Sequence, residues 1–205
     1  MKHGLFITFE GIDGCGKTTQ WKLIEKHLRQ RGHAVLALRE PGSTALSERI
    51  RKILLDKKLS IDPISEMHLY LAARAGLVRE VITPALKRGE IVVCDRFYDS
   101  TTAYQGYGRG LDIALIKKLN AQAIGSCIPD LTFLVDVDYA TSLSRRKKTS
   151  DRLESESRAF FKRVREGFLE IARTGKKRVV VLDGKKSIDE LFKEVTVCLS
   201  RKLKL

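Results

Sequence analysis

Residues 11–18 read Gly-Ile-Asp-Gly-Cys-Gly-Lys-Thr and satisfy the spacing GxxxxGK[ST]. A strand-like run over Leu5–Glu10 leads into this segment. A stretch in which Trp21, Ile24 and Leu28 keep helical spacing leads out of it, and Gly32 closes that stretch. Glycines let successive backbone N–H groups converge on one anion, and the start of the following helix adds a favourable partial charge. The spacing therefore predicts a triphosphate cradle made of Gly11, Ile12, Asp13, Gly14, Cys15, Gly16, Lys17 and Thr18. Lys17 is expected to reach the β- and γ-phosphates of ATP, and Thr18 to offer its hydroxyl to Mg²⁺.

Short β-rich runs alternate with longer amphipathic stretches along the rest of the chain. The runs are Leu5–Glu10, 34–39, Ile91–Asp95, Leu131–Asp136 and Val179–Asp183; helical spacing occupies Lys17–Gln30, 47–55, 65–88, Ile113–Ile124, 156–172 and Ile188–Leu203. That alternation predicts an α/β fold with a five-stranded parallel sheet and helices on both faces. No repeat, linker or low-complexity tract interrupts it, so residues 1–205 read as one domain. The segment 145–158 is charged and lacks apolar periodicity, and it reads as an exposed, mobile loop of the kind that closes over substrates.

Composition narrows the function classes. The apolar runs fall far below the roughly 18 residues that a membrane helix needs, and the N-terminus carries no signal-peptide pattern. Cys15, Cys94, Cys127 and Cys198 stand far apart without a CxxC pair, which predicts reduced thiols, a cytoplasmic protein and no structural zinc. The 39 Lys and Arg against 25 Asp and Glu give a net charge of +14, which suits polyanionic partners. With aromatics at 7% and no RNA-binding or zinc-finger signature, nucleic acid is not expected as the main ligand.

The run Ile91–Asp95 ends in a carboxylate, Asp95, where a Walker-B aspartate would meet the Mg²⁺ shell. Arginines recur near strand ends at Arg39, Arg51, Arg74 and Arg96, with Arg145, Arg146 and Arg152 clustered later. Two phosphates brought together for in-line transfer need several such cations. The rival classes are another nucleotide or deoxynucleoside kinase and a basic nucleic-acid-stimulated ATPase.

Residues 9–20 (FEGIDGCGKTTQ), 38–44 (LREPGST), 71–78 (LAARAGLV), 95–110 (DRFYDSTTAYQGYGRG) and 129–137 (PDLTFLVDV) occur in order over nearly the whole chain. Together they resemble the successive signatures of bacterial thymidylate kinase. The resemblance implies a P-loop kinase fold and phosphorylation of dTMP to dTDP by ATP and Mg²⁺, in dTTP synthesis. It implies that Asp13 binds the acceptor's 3′-hydroxyl, and that Arg51 and Arg96 hold its phosphate. Tyr70, where the family usually has Phe, would stack on thymine, while Arg74 donates to a base carbonyl. Thr101 and Gln105 would read the pyrimidine edge, and Tyr104 would crowd a ribose 2′-hydroxyl. The Glu40-Pro41 peptide matches one that is often cis.

Some members of the family carry a catalytic arginine within the phosphate loop, where this chain has Gly14. The bacterial type supplies that cation from a lid, here residues 144–158. Arg145 matches the arginine at the start of the lid that packs on adenine, and Arg152 matches the arginine of an Asp-Arg pair. Between them the lid looks shorter than a common bacterial form, which leaves Arg146, Lys147, Lys148 and Arg152 as candidates for the catalytic cation. Arg146 is favoured over its lysine neighbours for its planar fork. The resemblance also implies a homodimer.

Overall fold

The computed structural model describes residues 4–146 and 151–203. Lys147, Lys148 and the tail residue Lys204 lie outside the described residues. Strands β1 (Leu5–Glu10), β2 (Val35–Arg39), β3 (Ile91–Asp95), β4 (Leu131–Asp136) and β5 (Val179–Asp183) form one parallel sheet in the order β2-β3-β1-β4-β5. The three central strands, β1, β3 and β4, are buried on both faces, which is why each reads as a nearly continuous apolar segment. Alternation along β1 feeds two cores. Ile7 and Phe9 meet Ile24 and Leu28 of α1 (Lys17–Gln30), whereas Phe6 joins Val92, Cys94, Val78 and Leu86. Phe9 lies beside Asp95 and Glu10 beside Leu134, so the carboxyl ends of the three central strands open onto one edge, where ligands bind in such sheets.

Between β2 and β3 lie α2 (Ala45–Leu55), α3 (Pro63–Leu77) and α4 (Thr83–Lys87). Asp62 caps α3 by accepting from the backbone N–H groups of Ile64 and Ser65, and Pro63 occupies the first turn, where its missing N–H costs nothing. The sequence reads 65–88 as one helix; the structure divides it with a π-helical segment, Val78–Ile82. Pro84 cannot donate to a carbonyl four residues back, and Thr83 N bonds Val78 O across the wider turn instead.

Helix α5 (Tyr98–Thr101) runs into a second π-helical segment, Thr102–Gly108, and α6 (Ile113–Ile124), α7 (Tyr139–Arg145), α8 (Arg158–Thr174) and α9 (Ile188–Leu203) complete the chain. The segment 98–108 shows no amphipathic pattern because most of its positions are buried. Thr101, Thr102, Tyr104, Gln105, Gly106 and Gly108 are all buried. Residues 151–154, within the segment read as an exposed loop, fold inward, whereas Ser155, Ser157 and Arg158 remain exposed. Leu153 is 8% exposed, and the Arg152 side chain is 12% exposed with Nε bonded to Leu54 O. A charged segment folds inward here because a buried carboxylate, Glu66, receives the guanidinium.

Candidate active site

The phosphate loop takes the shape its glycines permit. Gly11, Gly14 and Gly16 have φ of 136°, 77° and 101°, in the region that side chains disfavour. A Cβ on Gly11 would stand 2.5 Å from Val135 O, and one on Gly14 would stand 2.4 Å from Ser142 O. The loop is thus pressed against β4 on one side and α7 on the other. A large cavity of about 760 Å³ opens over it, lined by residues 13–20, Arg145, Arg146, Glu154 and the β5–α9 loop, 184–188. Gly11 and Ile12 form the loop's floor and do not line the cavity. The contribution of Lys185, Lys186 and Ser187 is missing from the sequence reading; no motif marks that loop, and only its position after β5 could have suggested it.

Thr18 and Asp95 come together from 77 positions apart, with Thr18 Oγ1 donating to Asp95 Oδ2 at 2.5 Å. Asp95 Oδ1 is buried without a hydrogen-bond partner among the described residues. A hydroxyl and a carboxylate with one uncommitted oxygen, at the mouth of a phosphate loop, fit a hard divalent cation that keeps most of its oxygen ligands from water and phosphate.

A second cavity lies beyond the loop, lined by Asp13, Glu40, Pro41, Arg51, Leu55, Tyr70, Arg96, Ser100, Thr101, Tyr104, Gln105, Asp151 and Leu153. It gathers seven of the eight residues read from the sequence as acceptor contacts. Asp13 lines both cavities. Its Oδ1 accepts from Arg96 Nη2 at 2.5 Å and lies 3.5 Å from Lys17 Nζ, while its Oδ2 accepts from the Tyr104 hydroxyl at 3.0 Å. Burial opposes ionisation, yet the Arg96 guanidinium and the Lys17 ammonium hold the Asp13 carboxyl well below the usual carboxylate range.

Arg96 itself has φ 71°, a left-handed conformation costly for arginine. Glu10 holds that turn. Its Oε1 accepts from Phe97 N at 2.7 Å and its Oε2 from Ser100 Oγ at 2.6 Å, while Arg96 Nη1 donates to Ser100 Oγ and Gly11 O. Burial, reinforced by Asp99, pushes the Glu10 carboxyl up to about 8. Sequence reasoning passed over Glu10; an acidic residue ending an otherwise apolar strand was the available signal.

Arg74 is the predicted acceptor residue that does not line the cavity. It is 1% exposed and lies behind the wall, with Nε and Nη2 on Glu40 and Nη1 on Asn120 Oδ1 at 2.8 Å. The pair Arg74–Glu40 is fully desolvated and braces the Glu40-Pro41 peptide, which is cis. Arg51 Nη1 donates to Pro41 O at 3.0 Å. Burial and the nearby Arg39 lower the pKa of Arg51, a state that a phosphate beside it would relieve.

The lid cations separate in space. Arg146 lies over the phosphate loop, with Nη2 on Ser142 Oγ, Nη1 on Glu154 O, and its guanidinium 4.0 Å above the Phe161 ring; Nε is buried and has no partner among the described residues. Arg145 lines the same cavity from the end of α7 and donates to Gly184 O at 2.7 Å. Arg152 is turned away from both and is committed to Glu66 and Leu54.

The thymidylate kinase family profile matches residues 9–195. The chain is similar to the thymidylate kinases of Deinococcus radiodurans (48% identical, covering 98% of this chain and 99% of that one) and Caldanaerobacter subterraneus subsp. tengcongensis (46%, 98% of each). Among solved structures, the thymidylate kinase of Ehrlichia chaffeensis superposes with a TM-score of 0.80 at 39% identity, over 97% of this chain and 99% of that one.

Proposed function

The chain belongs to the thymidylate kinase family, and from that premise we propose how its residues divide the work. The chain phosphorylates dTMP to dTDP. The observation that carries the division of roles is that Asp13 lines both the cavity over the phosphate loop and the cavity beyond it. A donor triphosphate in the first and an acceptor monophosphate in the second would meet beside it.

ATP occupies the loop cavity, its phosphates cradled by residues 13–18 and its base between Arg145 and the 184–188 loop. Thr18 and Asp95 hold Mg²⁺, which when bound supplies positive charge to the phosphate oxygens. In the acceptor cavity, Tyr70 stacks on the pyrimidine, Thr101 and Gln105 face its edge, and Tyr104 crowds the ribose 2′ position. Arg51 and Arg96 hold the phosphate. Asp13 accepts the 3′-hydroxyl; the cations beside it keep it ionised and therefore an acceptor. Arg74 acts from behind the wall by holding Glu40, which lines the acceptor cavity. A phosphate oxygen is already nucleophilic, so the transfer runs in line without a general base or a phosphoenzyme. Lys17, Arg96 and Arg146 offset the charge that develops, and a fork-shaped guanidinium suits that task better than an ammonium. The location of Arg146 over the loop, against the commitment of Arg152 to Glu66, supports Arg146 among the described cations.

The protein works as a homodimer in the cytoplasm. Helices α2, α3 and α6 pack side by side and leave Leu46, Ile53, Ile64 and Leu115 exposed, a surface suited to a second copy. All four cysteines are free thiols. Sedimentation at twice the chain mass is the expected result for the dimer.

An assay of ADP release across dTMP, dUMP, dCMP, dGMP and thymidine tests the acceptor reading. It should show dTMP turned over well and thymidine not at all; preference for the unphosphorylated nucleoside would contradict it.

A further inference from the structure

Glu66 is a buried carboxylate that accepts four side-chain hydrogen bonds and touches neither phosphate-loop nor acceptor-phosphate residues among them. It sits in the first turn of α3 with a side chain 0% exposed. Its Oε1 accepts from Gln105 Nε2 at 2.7 Å and Arg109 Nε at 3.1 Å. Its Oε2 accepts from Arg109 Nη2 at 3.0 Å and Arg152 Nη2 at 2.5 Å. Arg109 also pairs with Glu156. Burial raises the cost of this charge, but the Arg109 and Gln105 donors with Arg152 hold its carboxyl below the ordinary value. A single buried anion thus joins a residue of the acceptor cavity, Gln105, to the chain segment whose Asp151 and Leu153 form that cavity's wall.

We propose that Glu66 is a positioning residue that sets acceptor selectivity, because by accepting the Gln105 amide N–H it leaves the Gln105 carbonyl to face the pyrimidine. An ionised carboxylate only accepts hydrogen bonds. Rotating the Gln105 amide by a half turn would set two acceptor oxygens 2.7 Å apart in a site shielded from water, so its orientation is fixed. A carbonyl facing the base edge accepts from a pyrimidine whose ring N3 carries hydrogen, as in thymine and uracil. It opposes one whose N3 is a bare lone pair, as in cytosine. By holding Arg152 with its other oxygen, the same carboxylate keeps Asp151 and Leu153 in place over the base that Gln105 reads. This inference rests on the acceptor cavity being the dTMP site.

The test is kcat/KM for dTMP and for dCMP, at saturating ATP and Mg²⁺, in the full chain and in two variants. Glu66→Gln supplies a neutral amide that both donates and accepts, and frees the orientation of Gln105. The double variant Glu66→Gln with Gln105→Glu exchanges the two groups, keeps the charge beside Arg109, and again presents an oxygen acceptor to the base. In Glu66→Gln the dTMP:dCMP ratio should fall by at least about tenfold, and the exchanged pair should recover most of that loss. If Glu66→Gln slows both acceptors equally and leaves the ratio unchanged, or if the exchanged pair shows no recovery, the proposal is overturned. Should Glu66→Gln fail to fold, the exchanged pair decides alone: a ratio near that of the unaltered chain supports the proposal, and a collapsed ratio removes it. Failure of the unaltered chain to use dTMP would instead remove the acceptor reading itself.

Discussion

Arg96 donates through Nη2 to Asp13 Oδ1 at 2.5 Å, joining the turn after β3 to the phosphate loop at the wall shared by the two cavities. Because this pair depresses the Asp13 pKa, its contribution to stability is present above the ordinary aspartate value of about 4 and is lost as pH falls below it. Asp13→Asn should therefore lie furthest below the unaltered protein in urea midpoint near neutral pH, with the gap narrowing as pH drops through 4 toward the acid limit. The same substitution should lower kcat/KM for dTMP by roughly 10²-fold.

Glu10 predicts the opposite slope. Its carboxyl is pushed up to about 8 by burial and by Asp99, against the hydrogen bonds from Ser100 and Phe97 N and the charge of Arg96. Stability is fully present below the unfolded glutamate value of about 4.3 and falls as pH rises toward 8, because the unfolded chain ionises first. Glu10→Gln mimics the protonated acid, so its urea midpoint should improve relative to the unaltered protein between pH 5 and pH 8.

Arg146→Ala should lower kcat by roughly 10³-fold or more while each KM moves by less than about threefold, the pattern of a cation that acts on the transition state. An unchanged kcat would take Arg146 out of the mechanism.

Gly14 leaves no room for a cation of its own. With φ at 77° and a Cβ position 2.4 Å from Ser142 O and 3.2 Å from Arg146 Cγ, an arginine there would displace α7. Gly14→Arg should cost roughly 1–3 kcal/mol of stability, read as a lower melting temperature, and should not restore activity to Arg146→Ala.

The fold was legible because hydrophobic runs and phosphate-loop glycines act locally. Four of the five strands and helices α1, α6 and α9 fall on the ranges their spacing predicts, and β2 differs by one residue at its start. What escaped was set by distant partners. The helical segment from Tyr98 to Gly108 is buried at most of its positions and so carries no clear period, and Arg152 looks solvated until Glu66, 86 positions away, supplies its anion. Likewise nothing in the sequence pairs Arg74 with Glu40, and only their mutual burial at the acceptor wall shows them as a brace. Those contacts depend on tertiary placement, which no single window of sequence contains.

If donor and acceptor phosphates meet at Asp13 within one molecule, adenosine and thymidine joined 5′ to 5′ through a pentaphosphate should span both cavities. Calorimetric titration should then give one equivalent bound per chain, displaced competitively by both ATP and dTMP; two equivalents, or displacement by only one of the nucleotides, would mean that the two cavities do not share a meeting point.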